Sequence, residues 1–203
     1  MNKPFLFACL IAALPLIADI NILAFAGSTR KDSYNKQLLL NAVEIAQQMG
    51  ATVLVVDLKD YSMPFYDADL EAKGMPKNAK KFRELMAKSD AIIIASPEYN
   101  SSIPAVLKNT LDWASRNKEG GSSSEAFKGK KFAIMSTSPG RMGGARGLVH
   151  LQGIIEDVGG QVIEQKVSIP QAHKYFSEKN RSENPTLKAE IQELMRLATI
   201  DRS

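Results

Sequence analysis

The sequence predicts an α/β fold of the doubly wound kind: a three-layer sandwich built on a five-stranded parallel sheet. Two observations carry that expectation. From Ile20 onward, short apolar β-prone runs alternate with stretches whose apolar residues recur at helical spacing, which is the pattern of βαβ units. One of those runs, AIIIAS at Ala91 to Ser96, is almost continuously apolar, as a strand covered by helices on both faces must be. A chain of 203 residues with 44% hydrophobic and 24% charged content is long enough for one full core, and that domain is assigned to residues 19–203.

Five strand–helix units can be counted. Ile20 to Ala26 is the first strand, ending at Gly27, and Leu38, Ala42, Ile45, Ala46 and Met49 form the stripe of a helix closed by Gly50. Thr52 to Val56 is the second strand. After a connection from Asp57 to Met75, Pro76 suits position N1 of a helix whose apolar face is Phe82, Leu85 and Met86. The Ala91–Ser96 strand follows, then a helix opened by Pro104 with Val106, Leu107, Leu111 and Trp113 inward. It ends before Gly120 to Ser124, which is expected to be a mobile loop. Phe132 to Ser136 is the fourth strand; Leu148, Leu151, Ile154, Ile155 and Val158 mark the next helix, stopped at Gly159-Gly160. Gln161 to Ile169 reads as the fifth strand, and a closing helix begins at Pro185 with Leu187, Ile191, Leu194, Met195 and Ala198 on one face.

Composition removes several function classes. The single cysteine, Cys9, excludes an internal disulfide, and His150 and His173 stand in no ligand spacing, so no metal site is expected. The net charge of +4 is spread along the chain without interleaved aromatics, which does not suit nucleic acid. Pro4 to Ala18 is an uncharged run of fifteen residues, shorter than the roughly 20 a spanning helix needs and close to a signal-peptide core. Leu16 occupies the minus-three position where a small residue belongs, and no twin-arginine pair is present. Residues 1–18 are therefore read as an apolar extension ahead of a cytoplasmic domain with no stable membrane span, export being the alternative if they act as a signal.

Ligands of open parallel sheets bind beyond the carboxyl ends of the strands, where strand order reverses. Three unusual loops fall there: Gly27 to Asn35, Pro97 to Ile103, and Thr137 to Arg146. The first (GSTRKDSYN) opens a helix and suits a phosphate. Helix-terminal N–H groups and the macrodipole stabilise an anion, Ser28, Ser33 and Asn35 can donate hydrogen bonds, and Arg30 can add a charge-assisted one. The same residues would equally serve as a helix cap at Asp32 or Ser33. The second loop is framed by Pro97 and Pro104, which restrict its backbone. The third has glycines that allow close approach and positive φ, as a flat ring packed on main chain requires. No Gly-Lys-Ser/Thr, no G-x-G-x-x-G after the first strand and no G-x-S-x-G occur, which sets aside phosphate-loop hydrolases, dinucleotide Rossmann domains and hydrolase elbows.

GSTRKDSYN, PEYNSSIPAVLKNTLDW and SPGRMGGAR, in that order, resemble the NADPH-dependent FMN reductases of the flavodoxin-like superfamily, which include chromate, quinone and azo reductases. The resemblance covers about residues 20–169 and implies the flavodoxin-like strand order 2-1-3-4-5. It implies that Ser28, Arg30, Ser33 and Asn35 hold the FMN phosphate with Tyr34 in the same loop, that Pro97, Glu98, Tyr99 and Asn100 edge the isoalloxazine, and that Ser138, Gly140 and Arg141 approach from the other side. It also implies NADPH or NADH as co-substrate, a small acceptor such as a quinone, flavin, azo compound or chromate, a homodimer or homotetramer, and no catalytic side chain, because flavin N5 carries the chemistry. The alternative is a flavodoxin-type electron carrier without NAD(P)H turnover. Such carriers are usually acidic, whereas this chain is net positive.

Overall fold

A computed structural model describes residues 20–177 and 184–200; the apolar segment 1–18, and what it was expected to do, lies outside them. The strands β1 (Asn21–Ala26), β2 (Thr52–Asp57), β3 (Ala91–Ala95) and β4 (Lys131–Thr137) run parallel in the order β2-β1-β3-β4, and β5 (Gln161–Val162) completes the 2-1-3-4-5 path. Helices α1 (Tyr34–Gln48) and α7 (Pro185–Ile200) cover one face; α3 (Lys77–Lys88), α4 (Ala105–Ala114) and α5 (Ala145–Asp157) cover the other. The alternation of side chains along each strand divides the apolar residues between two clusters. Ala24, Ile93 and Met135 face α1 and α7, while Phe25, Ile92 and Phe132 face the remaining helices. Trp113 is fully buried, as its inward reading required. Among the described residues no helix is long and apolar enough to cross a membrane.

The fifth strand departs from expectation. Residues 161–169 divide into β5 and β6 (Val167–Ile169), both paired with β4 but at different heights, Phe132 with Val162 and Met135 with Val167. Three steps along β4 are thus matched by five along its partner. The two extra residues lie between the paired segments, where Glu164 turns out to water in a bend while Ile163 stays in the core. Pro76 and Pro104 also sit one place earlier than expected, as extended N-caps with ψ of 141° and 147°.

The long connection after β2 carries two elements that periodicity alone does not show. Asp57 caps a 3-10 turn at Leu58–Tyr61, and Asp67 caps the short helix α2 (Ala68–Glu71) through the amides of Asp69 and Leu70. Glu71 then ties the connection to the loop after α4. It accepts from Arg116 Nε at 2.8 Å and Nη2 at 2.9 Å, and from the Gly121 amide at 3.2 Å. The Arg116 guanidinium holds the Glu71 carboxyl below the usual range against the opposing effect of burial. The loop expected to be mobile is therefore anchored. A further short helix, α6 (Ala172–Tyr175), follows β6.

Candidate active site

The carboxyl ends of β1, β3 and β4 deliver the three loops to one place. Gly27 begins the first: a Cβ there would lie 2.9 Å from Leu107 Cδ2 and 3.2 Å from Leu107 Cβ, so glycine lets the chain leave β1 tight against α4 without displacing Leu107. Beyond it lies a pocket of about 240 Å³. The first loop contributes Ser28, Arg30, Ser33, Tyr34 and Asn35, the second Pro97, Glu98 and Tyr99, and the third Ser138. Thr137 and Pro139, not singled out from sequence, complete the wall.

Three expected residues do not line it. Asn100 and Ser101, at φ of 50° and 65°, form the tip of a tight turn closed by paired Tyr99–Ser102 backbone hydrogen bonds at 2.9 and 3.0 Å. The Gly140 carbonyl accepts from the Gln171 amide at 3.1 Å, and Arg141 is exposed. The glycines of the third loop serve its own packing. A Cβ on Gly143 would lie 2.7 Å from the Ile169 carbonyl carbon, and one on Gly144 would lie 1.8 Å from Ser136 Oγ. The loop thus lies on the end of β6, where the Ser138 amide also donates to the Ile169 carbonyl at 3.2 Å.

Within the pocket the side chains divide into those engaged by the protein and those left for a ligand. Asn35 belongs to the first group. Its amide donates to the Thr137 carbonyl at 2.9 Å and its oxygen accepts the Thr137 amide at 3.0 Å, so it locks the first loop to the third. Glu98 is engaged too. Its carboxylate accepts from the amides of Arg146 (3.0 Å) and Gly147 (3.1 Å) and from Arg146 Nε (2.8 Å) and Nη2 (2.5 Å). The N-cap of α5 is Gly144, which has no side chain to satisfy the first amides, and Glu98 does so from a different loop. Burial raises the Glu98 carboxyl, but Arg146 and the two amides outweigh it and leave the group below its ordinary range.

The second group is Arg30, Ser28, Ser33 and Ser138. Ser33 is the N-cap of α1, yet its hydroxyl makes no capping hydrogen bond, although the residue is buried. Ser28 Oγ accepts only the Arg30 amide, at 3.3 Å, and the Arg30 guanidinium has no partner among the described residues. Hydroxyls and a guanidinium therefore face the pocket at the positive end of a fifteen-residue helix, with the one carboxylate already neutralised. That donor set fits a phosphate monoester, and the prolines and Tyr99, half exposed at 50%, offer surface to a flat ring.

Glu98→Ala is expected to lower stability by about 1–2 kcal/mol, the usual worth of a lost cap. Because its folded pKa is depressed, the Glu98 contribution is present above the unfolded value and disappears as pH falls through the folded one. Urea midpoints of the wild type and variant, repeated at falling pH, check the effect. An unchanged midpoint contradicts the capping role.

Comparison with known proteins agrees with this geometry. The family model described as NADPH-dependent FMN reductase matches residues 20–174. The chain belongs to the NADPH-dependent FMN reductase family. It is an oxidoreductase. An NAD(P)H-dependent FMN reductase of Pseudomonas aeruginosa is 40% identical over 134 residues, 66% of this chain and 68% of that one. A quinone reductase of Pseudomonas putida is 37% identical over 61% of this chain and 63% of its own length. Among solved structures, a flavoenzyme NAD(P)H:(acceptor) oxidoreductase from Paracoccus denitrificans superposes with a TM-score of 0.74 at 26% identity, covering 88% of this chain and 97% of that one. The family match spans all three pocket loops.

Proposed function

We infer that this protein is an NAD(P)H-dependent FMN oxidoreductase that passes electron pairs to a small acceptor, a quinone first among them. The observation that carries the reading is the convergence of three sequence-distant loops on one pocket whose unengaged polar groups are Ser28, Arg30, Ser33 and Ser138. Ser28, Arg30 and Ser33 hold the FMN phosphate at the start of α1; Pro97, Tyr99, Ser138 and Pro139 edge the ring. FMN, when bound, supplies two-electron chemistry, accepting hydride from NAD(P)H and yielding electrons to the acceptor. The chain fixes the pocket walls through Asn35 and Glu98 and needs no acid or base of its own for the first step. The pocket, at about 240 Å³, is smaller than the roughly 300–1,000 Å³ that encloses a whole ligand of this size. A cleft of that size would leave part of a bound ring accessible to a nicotinamide or an acceptor, and an opening of that kind would admit flavins, azo compounds and chromate as well as quinones.

Exposed Tyr99 (50%) and Met142 (56%) stand on loops that flank the pocket, and Val149 (69%) lies outward on α5. We take them as the face through which a homodimer or homotetramer forms beside the flavin. The enzyme is assigned to the cytoplasm.

Arg30→Ala tests the assignment of the phosphate end. A lost charge-assisted hydrogen bond is worth about 1.5–3 kcal/mol, so FMN affinity should fall by roughly tenfold to a hundredfold, while affinity for riboflavin, which has no phosphate, should stay the same. Equal losses for both ligands remove Arg30 from the phosphate. Rapid NADPH oxidation with a quinone and no partner protein separates the enzyme from an electron carrier; protein that is colourless and fails to take up FMN rejects both.

A further inference from the structure

A second cavity, about 170 Å³, borders the first loop from its other side. Ser28 and Arg30 face the flavin pocket, and Thr29, between them, faces this one. Its apolar lining is Leu58, Met63 and Val106, and Lys59, Ser62 and Thr29 supply the polar groups. The walls are built rather than incidental. Asn109 accepts the Tyr66 amide at 2.8 Å and donates to the Pro64 carbonyl at 2.9 Å, Trp113 donates to the same carbonyl at 2.9 Å, and Asn78 holds the Ser62 carbonyl at 2.7 Å. Tyr61 packs edge-on to buried Phe82. The segment after β2 is thereby clamped to α3 and α4.

The unengaged groups in this cavity define what it can take. The Lys59 ammonium makes no ion pair and no hydrogen bond among the described residues, since neighbouring Asp57 is paired with Lys36 at 2.5 Å. The side chains of Thr29 and Ser62 likewise have no hydrogen-bond partner there. An apolar patch, two hydroxyls and a cation that is in no ion pair suit one edge of a purine nucleoside phosphate, the remainder of which would lie outside a cavity of this size. An acceptor has to meet the flavin ring itself, whereas this cavity is separated from the flavin pocket by the chain at residues 28–30. Of the two substrates, only the pyridine nucleotide has a second end remote from its reacting ring.

Resting on the FMN reductase reading, the geometry points to this cavity as the seat of the adenosine end of the nucleotide co-substrate, with Lys59 meeting the 2′-phosphate that distinguishes NADPH from NADH. Thr29 and Ser62 hydrogen-bond the ribose or the base, and Val106 packs on the base.

The test uses the FMN-loaded protein and adenosine 2′,5′-bisphosphate, which carries the recognised end and no nicotinamide. Calorimetric titration should show binding that is weakened about tenfold by Lys59→Ala and more at low salt, as expected for an exposed cation on a phosphate. Val106→Trp, which fills the cavity, should abolish it while FMN stays bound. In steady state, Lys59→Ala should raise KM for NADPH about tenfold, leave kcat unchanged and leave KM for NADH within twofold. Bisphosphate binding that ignores both variants, or equal losses for NADPH and NADH, overturns the assignment. If FMN does not bind at all, the functional reading fails by itself, and titration of the flavin-free protein with the bisphosphate still decides whether this cavity is a nucleotide site.

Discussion

Gly144→Ala should lower the stability of this protein by about 2–5 kcal/mol and, in whatever fraction folds, open the flavin pocket. Two terms combine. The residue stands at φ 92°, where a side chain is strained by roughly 1–2 kcal/mol, and the new Cβ would lie 1.8 Å from Ser136 Oγ and 2.8 Å from Ser136 Cβ. Both residues are buried, with Ser136 inside the strand that carries the third loop, so relief requires the loop to lift from the sheet. Overpacking of that kind costs about 1–3 kcal/mol. Lifting the loop would also pull Arg146 and Gly147 from Glu98, and so would couple the fold to the site. Ser136→Ala in the same chain removes the nearer contact and should recover part of the loss. By itself it should be neutral or stabilising, because the Ser136 hydroxyl is buried without a partner. Denaturant midpoints of the three variants check the ordering; a Gly144→Ala protein as stable as the wild type would show that the loop does not lie this close to β4.

Glu190→Gln should stabilise the protein at neutral pH by about 1–3 kcal/mol, the order of the cost of taking up a proton there by a carboxyl that is ionised in the unfolded chain. Glu190 is on the inner face of α7, 0% exposed, and among the described residues neither carboxylate oxygen has a well-formed hydrogen bond, the Ile134 backbone being a weak donor beside it. Burial pushes its pKa well above the ordinary 4.5; the nearby Ile134 backbone and Lys166 act in the opposite direction and do not offset it. The sign follows from linkage. Between the unfolded and folded values the folded state holds a proton that the unfolded state has released, so stability is greatest below the unfolded pKa and declines as pH rises towards the folded one. Glutamine keeps the shape of the protonated acid and cannot ionise. Its advantage should be largest at neutral pH and should vanish near pH 4.5, the ordinary value for the group. Thermal midpoints across that range read it directly; an advantage independent of pH would assign the effect to packing.

Which parts of this were legible in the sequence depended on how local their cause is. The three loops could be located because a parallel sheet places ligands beyond its carboxyl ends, and the strand runs around Phe25, Ile93 and Ile134 are unambiguous in composition. The division of the fifth strand was not visible, because QVIEQKVSI retains enough β-branched residues to read as one piece. Only pairing with β4 shows that two extra residues are accommodated between Val162 and Val167. Asn35 and Glu98 were placed at the site, but the hydrogen bonds by which they tie its loops together were not foreseen. Their partners, Thr137 and Arg146, lie 102 and 48 residues away, and no short-range pattern announces such a pair. By contrast, the cap of α2 at Asp67, followed by Asp69 and Glu71, carried a signal that could have been read. The glycines of the third loop illustrate the opposite case. Their freedom was recognised, but the close neighbour at Gly143 and Gly144 is the protein's own chain.

The crystal structure of the FMN-loaded protein tests the central claim most directly. The phosphate should sit at the start of α1 within hydrogen-bond distance of Ser28, Ser33 and Arg30, with the ring against Pro97, Tyr99 and Ser138 and with Asn35 still bonded to Thr137. A phosphate directed into solvent, or a flavin seated away from these three loops, would contradict it.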